Sequence, residues 1–389
     1  MKVPLLDLKP QYHSLKKELD EAVLRVAESQ YFILGPEVEK MEKEFCDYLH
    51  CKHAIGVSSG TDALLLALMA INIGPGDEVI VPTYSFFATA GVVSRLNATP
   101  VLTDIDPITF NIDPEEVKKK ITKRTKAIMP VHLYGQSAEM DPIMKIAKEN
   151  NIKVIEDAAQ AIGTQYKDGK CVGTIGDIGC FSFFPSKNLG GYGDGGLVTT
   201  DNDDLAYMLR IKRVHGGEQK YYHKVIGGNF RIDALQASVL RVKLPHLDKW
   251  SEKRRANAEY YYELFKKAGL AEEPGKTKFD DKNMVLLPQP VNKGNTGVKN
   301  YHIYNQFIIR AQKRDELKKF LTENEIGNEI YYPVPFHMQE CFANLNHKVG
   351  NFPESEKASN TSLAIPIYPE LTKEQQEYVV QKIREFIKG

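Results

Sequence analysis

The sequence predicts an α/β protein in which a large domain built on a mostly parallel sheet is followed by a smaller domain. Between about residues 36 and 200, short β-branched runs alternate with longer helical patterns, as in successive strand–helix–strand units. Around residues 234 to 267 the pattern turns continuously helical with Pro245 as its one strong breaker, which predicts a long connecting helix. A polar, turn-rich stretch from 272 to 299 then gives way to a strand at Tyr304-Asn-Gln-Phe-Ile-Ile-Arg310. The boundary is expected near 245, giving a large domain over 1–244 and a small C-terminal domain over 245–389. A chain of 389 residues is long enough for both.

In chain order, the candidate strands are Glu78-Val-Ile-Val-Pro82, Thr99-Pro-Val-Leu-Thr103, Ala127-Ile-Met-Pro-Val131, Lys153-Val-Ile-Glu156 and Gly179-Cys-Phe-Ser-Phe183, with Leu197-Val-Thr-Thr after a glycine-rich loop. Helices between them carry start signals. Asp113-Pro114-Glu115-Glu116 places a capping carboxylate, a proline at the first helical position and acids in the first turn. No internal repeat or low-complexity tract interrupts the pattern.

Composition narrows the partners. Basic and acidic residues balance at 51 each, so no net field would hold a polyanion, which argues against nucleic acid or a membrane surface and for a small molecule. The N-terminus meets a charge before any apolar run forms, and no run approaches the roughly 18 residues of a spanning helix, so a cytoplasmic protein is expected. The five cysteines are scattered and lack C-x-x-C spacing. They are expected to be reduced and mostly buried, and no zinc site or other metal is expected.

Three segments carry chemistry. In Cys180-Phe-Ser-Phe-Phe-Pro-Ser-Lys187-Asn-Leu-Gly-Gly-Tyr-Gly-Asp-Gly-Gly196 a strand runs into a single lysine inside a glycine-rich loop. In a closed, partly dry site such a lysine would lose its proton and could form a Schiff base; taken alone, a lysine among glycines is more often a solvated loop residue. Gly191, Gly193 and Gly196 also satisfy G-x-G-x-x-G, but a dinucleotide fingerprint follows a strand and opens a helix, whereas a strand follows here. The second segment, Val154-Ile-Glu-Asp157-Ala-Ala-Gln160, puts a carboxylate at the carboxyl end of a buried strand. There it could pair with a protonated ring nitrogen or simply cap the next helix. The third, Gly56-Val-Ser-Ser-Gly-Thr61-Asp, opens an apolar helix with small hydroxyl residues and glycine, either a phosphate cradle or an ordinary cap.

With these segments in order, the chain resembles the DegT/DnrJ/EryC1/StrS family of sugar aminotransferases. The resemblance runs through Pro4-Leu-Leu-Asp-Leu, Leu34-Gly-Pro-Glu-Val, Ser59-Gly-Thr-Asp-Ala-Leu, Gly74-Pro-Gly-Asp-Glu-Val-Ile-Val-Pro82, Val131-His-Leu-Tyr-Gly-Gln136, Glu156-Asp-Ala-Ala-Gln160 and Phe184-Pro-Ser-Lys-Asn-Leu-Gly190. It continues through Gly228-Asn-Phe-Arg-Ile-Asp-Ala-Leu-Gln236, Tyr332-Pro-Val-Pro-Phe-His337 and Ile365-Pro-Ile-Tyr-Pro369. It implies the fold type I architecture of pyridoxal-phosphate enzymes, aspartate-aminotransferase-like, with a mostly parallel seven-stranded sheet and a smaller α+β C-terminal domain.

Carried over by motif, the resemblance implies Lys187 as the lysine that holds pyridoxal 5′-phosphate and Asp157 as the partner of its ring nitrogen. It places Gln160 beside the ring, Phe86 stacked on its face, and Ser59, Gly60, Thr61 and Ser182 at the phosphate. Asn229 would reach the phosphate from the partner subunit of a homodimer with shared active sites, and Arg231 would touch substrate from the same loop. Gln30, Phe32, Tyr331, Tyr332 and His337 lie where relatives bind the nucleotide sugar; for Tyr331 and His302 a core role stays open. The implied reaction moves an amino group from L-glutamate, through the pyridoxamine phosphate form, to a nucleotide-linked keto sugar. Relatives that replace the lysine with histidine act as dehydratases; this chain keeps Lys187. The texture around Lys187 is most similar to enzymes acting at C3 of UDP-linked 2-acetamido-3-keto sugars. Relatives acting on dTDP-linked 3-keto-6-deoxy sugars or 4-keto sugars share nearly all the same motifs. A cofactor-bound sensor without turnover is the reading from a different class.

Overall fold

The computed structural model describes residues 1–271 and 285–389, so residues 272–284 of the expected turn-rich stretch lie outside the described residues. Two helices, α1 (Lys9–Ser29) and α2 (Pro36–Leu49), precede strand β1 (His53–Val57) and helix α3 (Gly60–Ala70). Alternation follows: β2 (Glu78–Pro82), α4 (Ala88–Arg95), β3 (Thr99–Thr103), α5 (Pro114–Lys120), β4 (Thr125–Ile128), α6 (Met140–Asn150), β5 (Lys153–Asp157) and β6 (Ile178–Ser182). The glycine-rich loop leads into β7 (Gly196–Thr200), α7 (Asp203–Arg213) and a small hairpin of β8 (Gly217–Gln219) and β9 (Tyr222–His223). Then come α8 (Ala234–Lys243), α9 (Leu247–Lys267), β10 (Phe307–Arg310), α10 (Arg314–Glu323), α11 (Pro353–Thr361), β11 (Ser362–Ile365) and α12 (Lys373–Lys388).

The seven-stranded sheet has the order β1-β7-β6-β5-β4-β2-β3. Only β7 runs antiparallel to its neighbours, so the sheet is mostly parallel as expected. Its central strands are buried on both faces. Helix α3 fills one face with Ala63 through Leu68, a run apolar all round the helix because it is enclosed all round. A separate core forms where α9, α10 and α12 cover the β10–β11 ribbon, with Tyr261, Phe265, Phe307, Leu317, Val379 and Ile383 at its centre. The N-terminus contributes to it, since Val3 bridges to Ile326 and is fully buried there. Among the described residues, no helix is long and apolar enough to cross a membrane.

Three expected elements differ in their bounds by more than one residue, each for a backbone reason. The long connecting helix is two helices, α8 and α9, separated by a 3-10 turn at Leu244–His246, because Pro245 lacks an N–H and its ring collides with the preceding turn. Strand β4 stops at Ile128 and not Val131, since Pro130 cannot donate to the ladder; beyond it Val131 keeps only an isolated bridge to Asp157. Strand β10 starts at Phe307 because Tyr304 has φ 44, a left-handed conformation no strand accepts.

Strands β1, β5 and β6 point the same way, and their carboxyl ends, with the start of β7, form one edge. That edge is where ligands of open α/β sheets bind.

Candidate active site

Lys187 sits in a tight loop just beyond β6. Its backbone N–H donates to Phe184 O at 2.8 Å, and Gly191 N closes the turn onto Phe183 O at 2.8 Å. A Cβ on Gly190 would lie 2.3 Å from Pro185 O, so only glycine fits this close approach. Helix α8 clamps the far side of the loop: Gln236 Oε1 accepts from Tyr192 N at 2.7 Å, and Lys243 Nζ donates to Gly190 O at 2.7 Å.

The Lys187 side chain projects into a cavity of about 480 Å³ lined by Ser59, Gly60, Thr61, Asp157, Gln160 and Ser182, among others. Although partly open to the cavity, the amine is crowded by its walls, and that burial lowers its pKa from 10.5 to about 8 against the weaker upward pull of Asp157. Asp157, at the end of β5, is buried; its Oδ2 accepts from Thr89 Oγ1 at 2.8 Å and its Oδ1 from Ala159 N at 3.2 Å. Burial raises the Asp157 pKa, and the hydrogen bond from Thr89 only partly offsets this. The carboxylate thus lacks a hydrogen-bonded cation of its own and would be stabilised by one arriving from the cavity.

Glu156, the residue before Asp157, points to the opposite side and makes the strand end rigid. Its oxygens accept from Gly173 N, Ile175 N and Gly176 N at 2.7, 2.7 and 2.6 Å and meet His132 Nε2 at 2.8 Å. Because Ala138 N donates to His132 Nδ1 at 3.0 Å, the ring proton lies on Nε2 and points at Glu156. Burial opposes ionisation of Glu156, yet the His132 and backbone hydrogen bonds outweigh it and lower its pKa.

At the other end of the cavity, Ser59 caps α3, its Oγ accepting from Asp62 N at 3.0 Å. A Cβ on Gly60 would stand 2.6 Å from Ser182 Cβ, so the helix start and the end of β6 touch through a gap only glycine can occupy. Gln160 bridges the remaining wall: its Oε1 accepts from Tyr134 N at 2.8 Å and its Nε2 donates to Tyr332 Oη at 2.9 Å. Phe86 stands half-exposed over the opening, its ring centroid 6.2 Å from that of Tyr332. Tyr331 completes the rim.

The other expected residues lie elsewhere in the single chain. Asn229 and Arg231 line a second, polar cavity of about 510 Å³ with Ser58, Asp62, Asp233 and Gln236. The two cavities share Ser59 and Asp194. Arg231 Nε is buried there without a hydrogen-bond partner. Gln30 and Phe32 line neither cavity: Gln30 caps the exposed end of α1, donating to Ala27 O, and Phe32 O accepts from Ala234 N. His337, expected to touch substrate, is buried away from the cavity with Nδ1 3.2 Å from Thr83 Oγ1 and Nε2 3.0 Å from Glu356 Oε1. Its ring nitrogens are thereby engaged in joining α11 to the end of β2. His302 is likewise a core residue, stacked on Tyr304 with ring centroids 3.9 Å apart.

Thr89, Ser85, Asp194 and Gln306 belong to the site or touch it, yet sequence reasoning did not single them out. For Thr89 a signal existed: it follows Phe86 by three residues at the start of a helix, so both can face one side.

The protein-family model for the DegT/DnrJ/EryC1/StrS aminotransferase family matches residues 13–384. The chain belongs to that family. The aminotransferase is 50% identical over 386 residues, 99% of each chain, to a protein of Geobacillus stearothermophilus named as a pleiotropic regulatory protein. It is 41% identical over 385 residues to the dTDP-3-amino-3,4,6-trideoxy-alpha-D-glucose transaminase of Streptomyces venezuelae, covering 99% of this chain and 96% of that one. It is 40% identical to the UDP-N-acetyl-3-dehydro-alpha-D-glucosamine 3-aminotransferase of Acidithiobacillus ferrooxidans, covering 100% and 98%. Among solved structures, the S. venezuelae DesV complex with a ketimine intermediate superposes with a TM-score of 0.91 at 40% identity, covering 100% and 99%. NtdA from Bacillus subtilis, solved with bound cofactor PMP, gives 0.88 at 32% identity, covering 100% and 86%.

The enzyme is therefore pyridoxal-phosphate-dependent. The residues present fit that cofactor: a desolvated amine for its aldehyde, a buried carboxylate lacking a bonded cation for its ring nitrogen, and a helix start with free N–H groups for its phosphate.

Proposed function

We propose that this enzyme transfers the amino group of L-glutamate to C3 of a nucleotide-linked 3-keto sugar, of the UDP-2-acetamido-2-deoxy-3-oxo-glucose type, releasing 2-oxoglutarate. The observation that carries the reading is the convergence of Lys187, Asp157 and the Ser59–Gly60–Thr61 helix start on one cavity.

The bound cofactor supplies an electron sink that makes the donor's α-proton labile. Lys187 Nζ would hold the cofactor and would serve as the base and acid that moves that proton, for which an amine with a pKa near 8 is well matched. Asp157, steadied by Thr89, keeps the ring nitrogen protonated. Ser59, Gly60, Thr61 and Ser182 bind the phosphate, Phe86 covers the ring, and Gln160 orients beside it together with Tyr332. Tyr331 and Tyr332 form the substrate side of the rim; His337, with its ring engaged elsewhere, is not carried into the proposal.

Asn229 and Arg231 act across a homodimer interface, each protomer's loop entering the site of the other. An exposed Asn229 and an unpartnered Arg231 Nε, lying in a cavity that adjoins the Lys187 site, support this placement. Gln30 and Phe32 are assigned to the same subunit boundary, where a nucleotide could reach them.

The choice of C3 rests on relatives named for amination at that carbon, in both the UDP and dTDP series. The name of the Geobacillus relative favours a second reading, a cofactor-bound regulator without turnover. Incubating the holoenzyme with L-glutamate and UDP- or dTDP-linked 3-keto and 4-keto sugars, and measuring 2-oxoglutarate release, separates these. Release beyond one equivalent per site with the UDP-linked 2-acetamido-3-keto sugar alone supports the proposal; preference for a dTDP or 4-keto sugar replaces its substrate, and no release beyond one equivalent with any sugar favours the regulator.

A further inference from the structure

We propose that Cys46 and Cys51 form a thiol-exchange site, in which a low-molecular-weight disulfide such as glutathione disulfide is reduced and the two cysteines close an intrachain disulfide. The placement comes from how α2 ends. His50 adopts the left-handed conformation, φ 57 and ψ 45, and Cys51 N donates to Cys46 O at 3.2 Å. This six-to-one backbone bond is the mark of a Schellman cap, which brings the third residue before the last helical one against the second residue beyond it. Those two positions are Cys46 and Cys51, and each thiol is the largest single influence on the titration of the other. Each sulfur also has a carbonyl beside it, Lys52 O at 3.6 Å from Cys46 Sγ and His53 O at 3.5 Å from Cys51 Sγ.

The pair is asymmetric in access. Cys46 is half-buried at the surface and Cys51 is buried behind it, so an incoming disulfide meets Cys46 first. The neighbouring Cys51 thiol lowers the Cys46 pKa, favouring the nucleophilic thiolate, while the proximity of Cys46 raises that of Cys51. The Cys46 thiolate attacks one sulfur of glutathione disulfide and displaces a first glutathione thiolate, leaving a mixed disulfide. Cys51 then loses its proton and attacks Cys46 Sγ, displacing the second. The cysteine pair gives up two electrons and two protons, and the products are one intrachain disulfide and two glutathione thiols.

The other cysteines lack this arrangement. Cys171 and Cys180 are buried, and Cys341 is exposed with no neighbouring thiol among the described residues. Neither Cys46 nor Cys51 lines the Lys187 cavity, so the inference stands apart from the substrate assignment.

Lys43 and Lys52 flank the pair, so one tryptic peptide, residues 44–52, contains both cysteines. The holoenzyme is treated with glutathione disulfide, free thiols are alkylated in denaturant, and the peptides are weighed. The proposal expects peptide 44–52 to be two hydrogens lighter and unalkylated, while Cys341 keeps a glutathionyl group. In the Cys51→Ser variant, Cys46 should instead retain its glutathionyl group, trapped at the first step. Alkylation of both cysteines in the treated wild type, or a lasting glutathionyl group on Cys46 beside an alkylated Cys51, would overturn it.

Discussion

Thr89 Oγ1 donates to Asp157 Oδ2 at 2.8 Å, the only side-chain hydrogen bond found on that carboxylate among the described residues. Hydrogen bonds to a charged group contribute about 1.5–3 kcal/mol. Thr89→Val keeps the shape and removes the donor, so kcat/KM should fall on the order of tenfold to a hundredfold. Asp157 already has a pKa raised by burial, and loss of the bond raises it further. The acid limb of the variant's pH profile should therefore move to higher pH; an unshifted profile would show that Thr89 only packs.

The desolvated Lys187 amine predicts how cofactor capture depends on pH. Below its pKa of about 8 the amine is protonated and unreactive, and above it neutral. The rate at which apo-protein takes up pyridoxal phosphate should rise with pH through about 8 and flatten beyond it. A rate still climbing toward 10.5, the value of an ordinary lysine, would mean that the amine is solvated before the cofactor arrives.

Gly60 is a steric prediction. Ala at this position puts a methyl 2.6 Å from Ser182 Cβ, and either the helix start or the end of β6 must move. Gly60→Ala should weaken cofactor binding by roughly tenfold or more, as expected when a buried contact is displaced. In a Ser182→Gly background, which lacks the obstructing carbon, the same Gly60→Ala change should cost much less than in the wild type; an equal cost would trace the defect to something other than this contact.

Much of this site was legible because its residues stand where secondary-structure transitions force chemistry to the sheet edge. Asp157 ends a buried strand, Ser59–Thr61 open an apolar helix, and Lys187 follows β6, each visible as a change of period in the sequence. The missing part depends on contacts between distant segments. That Glu156 is anchored by His132, or that Lys243 holds Gly190 from 53 residues away, leaves no local pattern. His337 illustrates the converse. Its motif placed it near substrate, but Thr83 and Glu356, brought in by tertiary packing, occupy its ring. The helix break at Pro245, by contrast, is purely local, following from the missing N–H and the ring of that one residue.

Asn229 lies beside the second cavity and not on the Lys187 cavity of its own chain. Asn229→Ala should lower cofactor affinity without dissociating the proposed homodimer. Mixing it with Lys187→Ala at limiting cofactor should create hybrid dimers with one intact site and restore activity that neither variant shows alone. Absence of complementation in proven hybrids would place Asn229 outside the partner's site.

The central claim is that Lys187 and the residues around it run a transamination. The most direct test is the absorbance spectrum of the purified holoenzyme, followed through addition of L-glutamate and then of a nucleotide-linked 3-keto sugar. Transamination at Lys187 should give a visible cofactor band that glutamate abolishes and the sugar restores, with no band in Lys187→Ala. A band unchanged by either substrate, or retained with turnover in Lys187→Ala, would contradict it.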